Sequence, residues 1–131
     1  MNLLTPGANG HGRLTFEELK GLRAEGYIRD STLDQRDGYG PELQRRAVHT
    51  FAESYGLVLG DAWYTDFITG TSTLKRSGFR KAIEDAQVDR FDVLLVYHTS
   101  RFARNRADAI RYKEDIRKLG KVVLSVSQVG A

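Results

Sequence analysis

A hydroxyl group and a cation lie close together in the segment Arg29-Asp30-Ser31, where a short apolar stretch ends. An arginine two residues before a serine is common by chance, but further polar groups follow along the chain: Asp66, Arg76 and the run Ser100-Arg101-Phe102-Ala103-Arg104. A phosphodiester attacked by a hydroxyl gains negative charge on its nonbridging oxygens, and guanidinium groups stabilise that charge. The ordered set therefore favours phosphoryl transfer, with Ser31 as the nucleophile.

The candidate site has more cations than carboxylates. A single acidic residue, Asp66, accompanies four arginines: Arg29, Arg76, Arg101 and Arg104. Because one carboxylate makes a poor cage for Mg²⁺, we expect catalysis without a metal ion or other cofactor. The chain has no Cys, and its three His residues lack the spacing of zinc ligands. A metal-dependent nuclease is the alternative, and the metal dependence of any DNA cleavage would distinguish the two.

Other catalytic classes fit the motifs less well. A hydrolase of the Ser-His-Asp type needs glycines on both sides of its serine, and the residues around Ser31 include neither. His98 is expected to be an ordinary polar residue at the end of a strand. No glycine-rich phosphate loop or dinucleotide fingerprint occurs where strands turn into helices. The sequence therefore argues against acyl transfer and nucleotide binding.

Size and composition describe one globular domain. The 131 residues have a net charge of +3, are 40% hydrophobic and 28% charged, and contain no run long enough for a membrane helix. There is no secretory signal, which predicts a cytoplasmic protein. Arginine supplies 14 of the 20 basic residues, as phosphate binding would favour, although a GC-rich genome has the same effect. Residues 1–25 are predicted to form a partly flexible extension, and residues 26–131 the domain.

The apolar pattern predicts alternating strands and helices. Strands are expected at 27–29, 57–64, 93–97 and 122–126. Helices are expected before Gly26, from Pro41 to Gly56, after a cap at Ser77, and up to Gly120. This order predicts an α/β fold with a mostly parallel open sheet and helices on both faces.

The candidate residues follow the predicted strands. Ser31 follows the first strand, Asp66 the second, and Arg101 and Arg104 the third. Because sites in open parallel sheets collect outside the carboxyl ends of the strands, these residues are expected to converge at one edge. Two arginines in the first turn of a helix also oppose its macrodipole, which favours a functional role over a solvated surface.

At these positions the chain resembles the catalytic domain of serine recombinases, the resolvase/invertase family, and especially its large serine integrase branch. Residues 27–31 resemble the Tyr-x-Arg-x-Ser opening, and Gln35 and Gln44 resemble glutamines that follow it. Residues 64–66 and 76–79 resemble the family's Tyr-x-Asp and Arg-Pro-x-Phe block, and residues 92–105 its Asp-Arg-Leu-x-Arg signature. The similarity extends from Gly26 to Gln128.

The resemblance implies site-specific DNA recombination on double-stranded DNA through a 5′-phosphoserine intermediate, strand exchange and religation. It implies that Gln35 assists placement, that Asp66 orients an arginine, and that phosphate is bound by Arg29, Arg76, Arg101, Arg104 and Gln44. Subunits would form a homodimer or tetramer in the full-length protein, which would be bacterial or phage-encoded and associated with the nucleoid.

The chain departs from the family pattern at Ser100, where an acidic residue is usual, and at Ser77, where proline is frequent. The family also continues into a long dimerisation helix and DNA-binding domains, so residues 1–131 are expected to fold, to be largely monomeric and not to recombine DNA. A non-catalytic α/β interaction module is the alternative, which a covalent DNA adduct on Ser31 would exclude.

Overall fold

The computed structural model describes residues 16–31, 35–36, 38, 40–68, 77–97 and 106–127. Four helices and five strands lie within these ranges. In chain order they are α1 (Phe16–Leu19), β1 (Arg23–Ser31), α2 (Pro41–Tyr55), β2 (Val58–Leu59), β3 (Tyr64–Ile68), α3 (Ser77–Gln87), β4 (Val93–Val96), α4 (Arg106–Lys118) and β5 (Val122–Ser125).

The five strands form one sheet in which every pair is parallel. One side of β1 pairs with β2 near its start and with β3 near its end. The other side pairs with β4, and β5 lies beyond β4. The predicted α/β fold with an open parallel sheet is confirmed.

Each face of the sheet has its own hydrophobic core. Along β4, Val93 and Leu95 contribute to a cluster with α2, whereas Leu94 and Val96 contribute to one with α3 and α4. All four side chains are buried, which explains why this strand is continuously apolar in the sequence. Helices thus cover both faces, as predicted.

Helix α2 has the boundaries that its end residues predicted. Pro41 is the first helical residue, where its missing N–H removes no hydrogen bond from the helix. Gly56 ends the helix with φ 70°, a left-handed conformation that glycine adopts without a steric penalty. Its N–H donates to the carbonyls of Ala52 and Glu53.

The chain before Gly26 differs from the prediction. The expected helix is wrong in its extent, since α1 ends at Leu19 and β1 already begins at Arg23. Ala24 pairs with both Leu59 and Val93, so tertiary pairing rather than the local pattern decides the conformation here. The predicted domain boundary after residue 25 therefore falls inside β1. Of the partly flexible extension predicted for residues 1–25, residues 1–15 lie outside the described residues.

The predicted second strand is two separate strands, β2 and β3. Between them the chain leaves the ladder, and the buried carboxylate of Glu25 accepts the N–H of Ala62 at 3.0 Å. Burial raises the pKa of this carboxyl. Trp63 follows in a left-handed conformation with φ 44° and places its indole against Gly26. The irregular segment thus depends on contacts with β1.

Replacing Gly26 by alanine should destabilise the fold by about 1–3 kcal/mol, because a Cβ there would lie 2.5 Å from Cζ3 of Trp63. Urea denaturation measures the effect. In a Trp63→Ala background the same change should cost clearly less, since the clashing ring is gone. An equal cost in both backgrounds would contradict this contact.

Within the described part of the chain, no helix is long and apolar enough to cross a membrane.

Candidate active site

The carboxyl ends of the parallel strands form one edge of the sheet, and Ser31 is the last residue of β1 at this edge. It pairs with Ile68, the last residue of β3, and two positions earlier Arg29 pairs with Asp66. The register therefore places the strand that carries the predicted nucleophile beside the predicted acidic residue. Side chains at alternate positions share a face, which places Tyr27 and Arg29 on the same side of β1.

Asp66 is an anchor for α3. Its carboxylate is 2% exposed and accepts the N–H groups of Gly78 at 2.7 Å and Phe79 at 3.0 Å. It also accepts the hydroxyl of Tyr27 at 2.7 Å. Gly78 and Phe79 are the second and third residues of α3, so Asp66 caps this helix from a neighbouring strand. The sequence predicted Ser77 as the cap of this helix. In the structure Asp66, which is distant in sequence, accepts the N–H groups at the start of the helix.

The role expected for Asp66, the orientation of an arginine, stays a prediction because Arg76, Arg101 and Arg104 lie outside the described residues. The three partners of Asp66 above are a tyrosine and two backbone amides. In the sequence Arg76 immediately precedes α3, the helix whose start Asp66 holds. Tyr27 is a site residue that the sequence analysis did not assign; its position two residues before Arg29 was the available signal.

A second buried pair fixes the far end of α3. The hydroxyl of Tyr64 on β3 donates to Asp85 on α3 at 2.6 Å, and both residues are 5% exposed. Burial and the neighbouring carboxylate raise the pKa of the Tyr64 phenol. Burial alone would raise the pKa of Asp85, but hydrogen bonds from Tyr64 and Lys81 hold it below its ordinary value. The helix is therefore attached to β3 at both ends.

Replacing Asp66 by asparagine should lower the free energy of unfolding by about 1–3 kcal/mol, measured by urea denaturation. The carboxylate accepts on both oxygens, and an amide would turn one of these acceptors into a donor facing other donors. Asp61→Asn, an identical change at an exposed position, is the matched control. Equal denaturation midpoints for the two variants would contradict the anchoring role of Asp66.

Gln44 lies on α2 and reaches across to β1. Its Oε1 accepts the N–H of Arg29 at 3.1 Å, and its Nε2 donates to the carbonyl of Arg29 at 2.7 Å. The residue is 1% exposed. Its amide is thus bound to the backbone of the predicted site, and the phosphate contact expected for Gln44 stays a prediction.

Gln35 lies at the same edge, in the connection between β1 and α2. Its Nε2 donates to Oδ1 of Asp30 at 2.6 Å, and the residue is exposed. Asp30 directly precedes Ser31, so Gln35 contacts the immediate neighbour of the predicted nucleophile. This position is compatible with the placement role implied by the resemblance.

Three predicted phosphate ligands, Arg76, Arg101 and Arg104, lie outside the described residues, and so does Ser100. The helices that follow them are described. Phe79 of α3 and Ile116 of α4 belong to the same core cluster as Tyr27, so both helices cover the face of the sheet toward which Tyr27 points. The convergence of the four arginines stays a prediction.

The described residues include Asp, Glu and His side chains, which can bind metal ions. Among them, no three His, Asp or Glu side chains are grouped in a way that could hold a metal ion.

The model of a protein family described as the resolvase N-terminal domain matches residues 24–130. Solved structures are also similar. The N-terminal catalytic domain of TP901-1 integrase aligns with a TM-score of 0.67 and 26% identity, over 81% of this chain and 78% of that chain. A resolvase family site-specific recombinase from Streptococcus pneumoniae aligns with a TM-score of 0.65 and 27% identity, over 82% and 73%.

The C-terminal catalytic domain of ISC1926 TnpA, an IS607-like serine recombinase, has a similar fold at lower identity. Its TM-score is 0.66 at 24% identity, over 80% of this chain and 70% of that chain. A comparison with curated proteins found no significant match. The placement in the integrase branch stays a prediction, but the resemblance to serine recombinases is confirmed. Since the family model spans most of its length, the chain belongs to the resolvase family and is the catalytic domain of a serine recombinase, an enzyme of site-specific DNA recombination.

Proposed function

We propose that Ser31 is the nucleophile of this recombinase. Its Oγ attacks the scissile phosphorus while the bond from phosphorus to the 3′ oxygen breaks, which leaves a 5′-phosphoserine linkage and a free 3′-hydroxyl. The serine loses its proton and the departing 3′ oxygen gains one. After the subunits exchange DNA ends, each 3′-hydroxyl attacks a phosphoserine, releases Ser31 and restores the phosphodiester.

The observation that carries this proposal is the position of Ser31 at the end of β1, two residues after Arg29, which lies in register with Asp66. Ligands of open parallel sheets bind at this edge. A serine two residues after an arginine at such an edge suits attack on an anionic phosphate. Arg29 is assigned to binding that phosphate.

The transition state carries extra negative charge, and Arg76, Arg101 and Arg104 are assigned with Arg29 to its stabilisation. One guanidinium group can bind two oxygens of the same phosphate and is always positively charged. The arginines therefore take the role of a metal ion in the proposed reaction. Asp66 is assigned a positioning role, since it holds the start of α3 directly after Arg76. Gln35, through Asp30, is assigned to the placement of Ser31.

Membership of the family implies a DNA substrate and the association of subunits. The finer assignment is that double-stranded DNA is bound by a homodimer that pairs into a tetramer during strand exchange. The reaction would take place in the cytoplasm of a bacterium, where the nucleoid or a phage genome supplies the DNA.

The test is covalent capture. The full-length protein is incubated with a pool of random-sequence duplexes in EDTA, denatured, and analysed by mass spectrometry. The proposal predicts a DNA-linked peptide that contains Ser31. Cleavage that requires Mg²⁺ and leaves no adduct would instead show a metal-dependent nuclease, and binding without cleavage would show a non-catalytic module.

A further inference from the structure

The backbone of β1 faces different neighbours at alternate residues. The carbonyls of Leu22 and Ala24 accept N–H groups of Val58 and Gly60, on the β2 side. The carbonyl of Arg23 accepts the N–H of Asp92, on the β4 side. Because this alternation has a period of two, the N–H and carbonyl of Arg29 point toward β4.

Within the described residues, the pairing of β4 with β1 ends before Arg29. The last pair between these strands is Tyr27 with Val96. β4 nevertheless stays with β5, since the carbonyls of Val96 and Tyr97 accept the N–H groups of Val126 and Ser127, each at 2.8 Å. The sheet therefore opens between β1 and β4 at its carboxyl edge.

At this opening, the helices that follow β1 and β4 lie on opposite faces of the sheet. The helix after β1, α2, packs on one side of the sheet, and the helix after β4, α4, packs on the other. A crevice forms where successive connections leave in opposite directions, and such crevices bind ligands in open parallel sheets. The opening thus lies beside Arg29 and Ser31.

Gln44 bonds the backbone of Arg29 in the way that a paired strand would. A carboxamide carries the same donor and acceptor as a peptide group, and that of Gln44 bonds both the N–H and the carbonyl of Arg29. It continues the ladder of β1 by one residue, although α2 and not β4 supplies it. With only 1% of the residue exposed, these bonds are protected from water.

We propose that Gln44 is a positioning residue for catalysis: it replaces one peptide of β4, and so holds the backbone of Arg29 and Ser31 while the crevice stays wide enough for a DNA phosphate. A continued β4 would fix the same backbone but close the crevice. The proposal rests on the proposed function of Ser31. It gives Gln44 an effect on the reaction without contact with DNA.

Two substitutions test the hydrogen bonds separately from the shape of the side chain. Gln44→Met keeps the approximate volume and removes both bonds. Gln44→Glu keeps the shape, but its carboxylate has no donor for the carbonyl of Arg29. When that carboxyl is protonated, its hydroxyl donates and its carbonyl accepts, as the amide does. Gln87→Met and Gln87→Glu, at the exposed end of α3, are the matched controls.

The measurement is the single-turnover rate of adduct formation by the full-length protein, on duplexes recovered by covalent capture, across a range of pH. Gln44→Met should be slower by about 10²-fold at every pH, as expected when a reacting group is displaced by about 1 Å. Its DNA affinity should match that of the Gln87 controls. Gln44→Glu should be equally slow near neutral pH and should recover, relative to the parent protein, as the pH falls.

Recovery in acid separates positioning from a general loss of stability, because protonation of a merely unfolded variant would not restore its rate. If Gln44→Met does not fold, the pH profile of Gln44→Glu decides alone. Parental rates for Gln44→Met, or a Gln44→Glu profile parallel to that of the parent, would overturn the inference while leaving Ser31 as the nucleophile. Failure of the parent protein to form an adduct on Ser31 would instead overturn the proposed function.

Discussion

Replacing Ser31 by alanine in the full-length protein should abolish the covalent protein–DNA adduct and leave DNA affinity nearly unchanged. The substitution removes a single oxygen atom. Ser31 pairs with Ile68 through the backbone, which alanine retains. Without that oxygen no phosphoserine can form, and water cannot replace it as a group that carries the DNA end through strand exchange.

Denaturing electrophoresis measures the adduct, and a gel-shift titration at one salt concentration measures the affinity, since phosphate contacts are sensitive to salt. Ser54→Ala, at an exposed position of α2, is the control and should form adduct at the parental rate. An adduct formed by Ser31→Ala at a rate near that of the parent would show that another residue attacks the phosphate.

Each of the four arginines should be needed for cleavage. Loss of one preorganised transition-state donor costs about 10²- to 10³-fold in rate, and this is the slowing expected for alanine at Arg29, Arg76, Arg101 or Arg104. Lysine at the same positions should restore only part of the rate, because it keeps the charge but lacks the planar fork of donors. Single-turnover cleavage measures both series.

The matched control is Arg46→Ala, because the Arg46 side chain on α2 is 71% exposed and lies 3.8 Å from Glu42. Its cleavage rate should stay near that of the parent protein. EDTA should have little effect on any of these proteins. A parent enzyme that stops cleaving in EDTA and recovers with Mg²⁺ would show that a metal ion, and not the arginines alone, stabilises the transition state.

Elements with a strong local pattern were predictable. β4 is a short, continuous apolar run because both of its faces are buried, and α2 begins at a proline and ends at a left-handed glycine. The start of β1 was not predictable in this way. Its residues Ala24 and Glu25 are held by pairing with β2 and β4 and by the N–H of Ala62, and these partners are distant in the sequence.

The same distinction between local and tertiary causes applies to the candidate site. The sequence by itself determined that Ser31 and Arg29 stand at the end of a strand and that the chain resembles serine recombinases, because residue type, spacing and strand pattern are local properties. Only the tertiary structure decided that Asp66 caps α3 and that Gln44 completes the ladder beside Arg29. Both depend on strand register and on which helix crosses the edge of the sheet, and those arise only when segments far apart in the chain pack together.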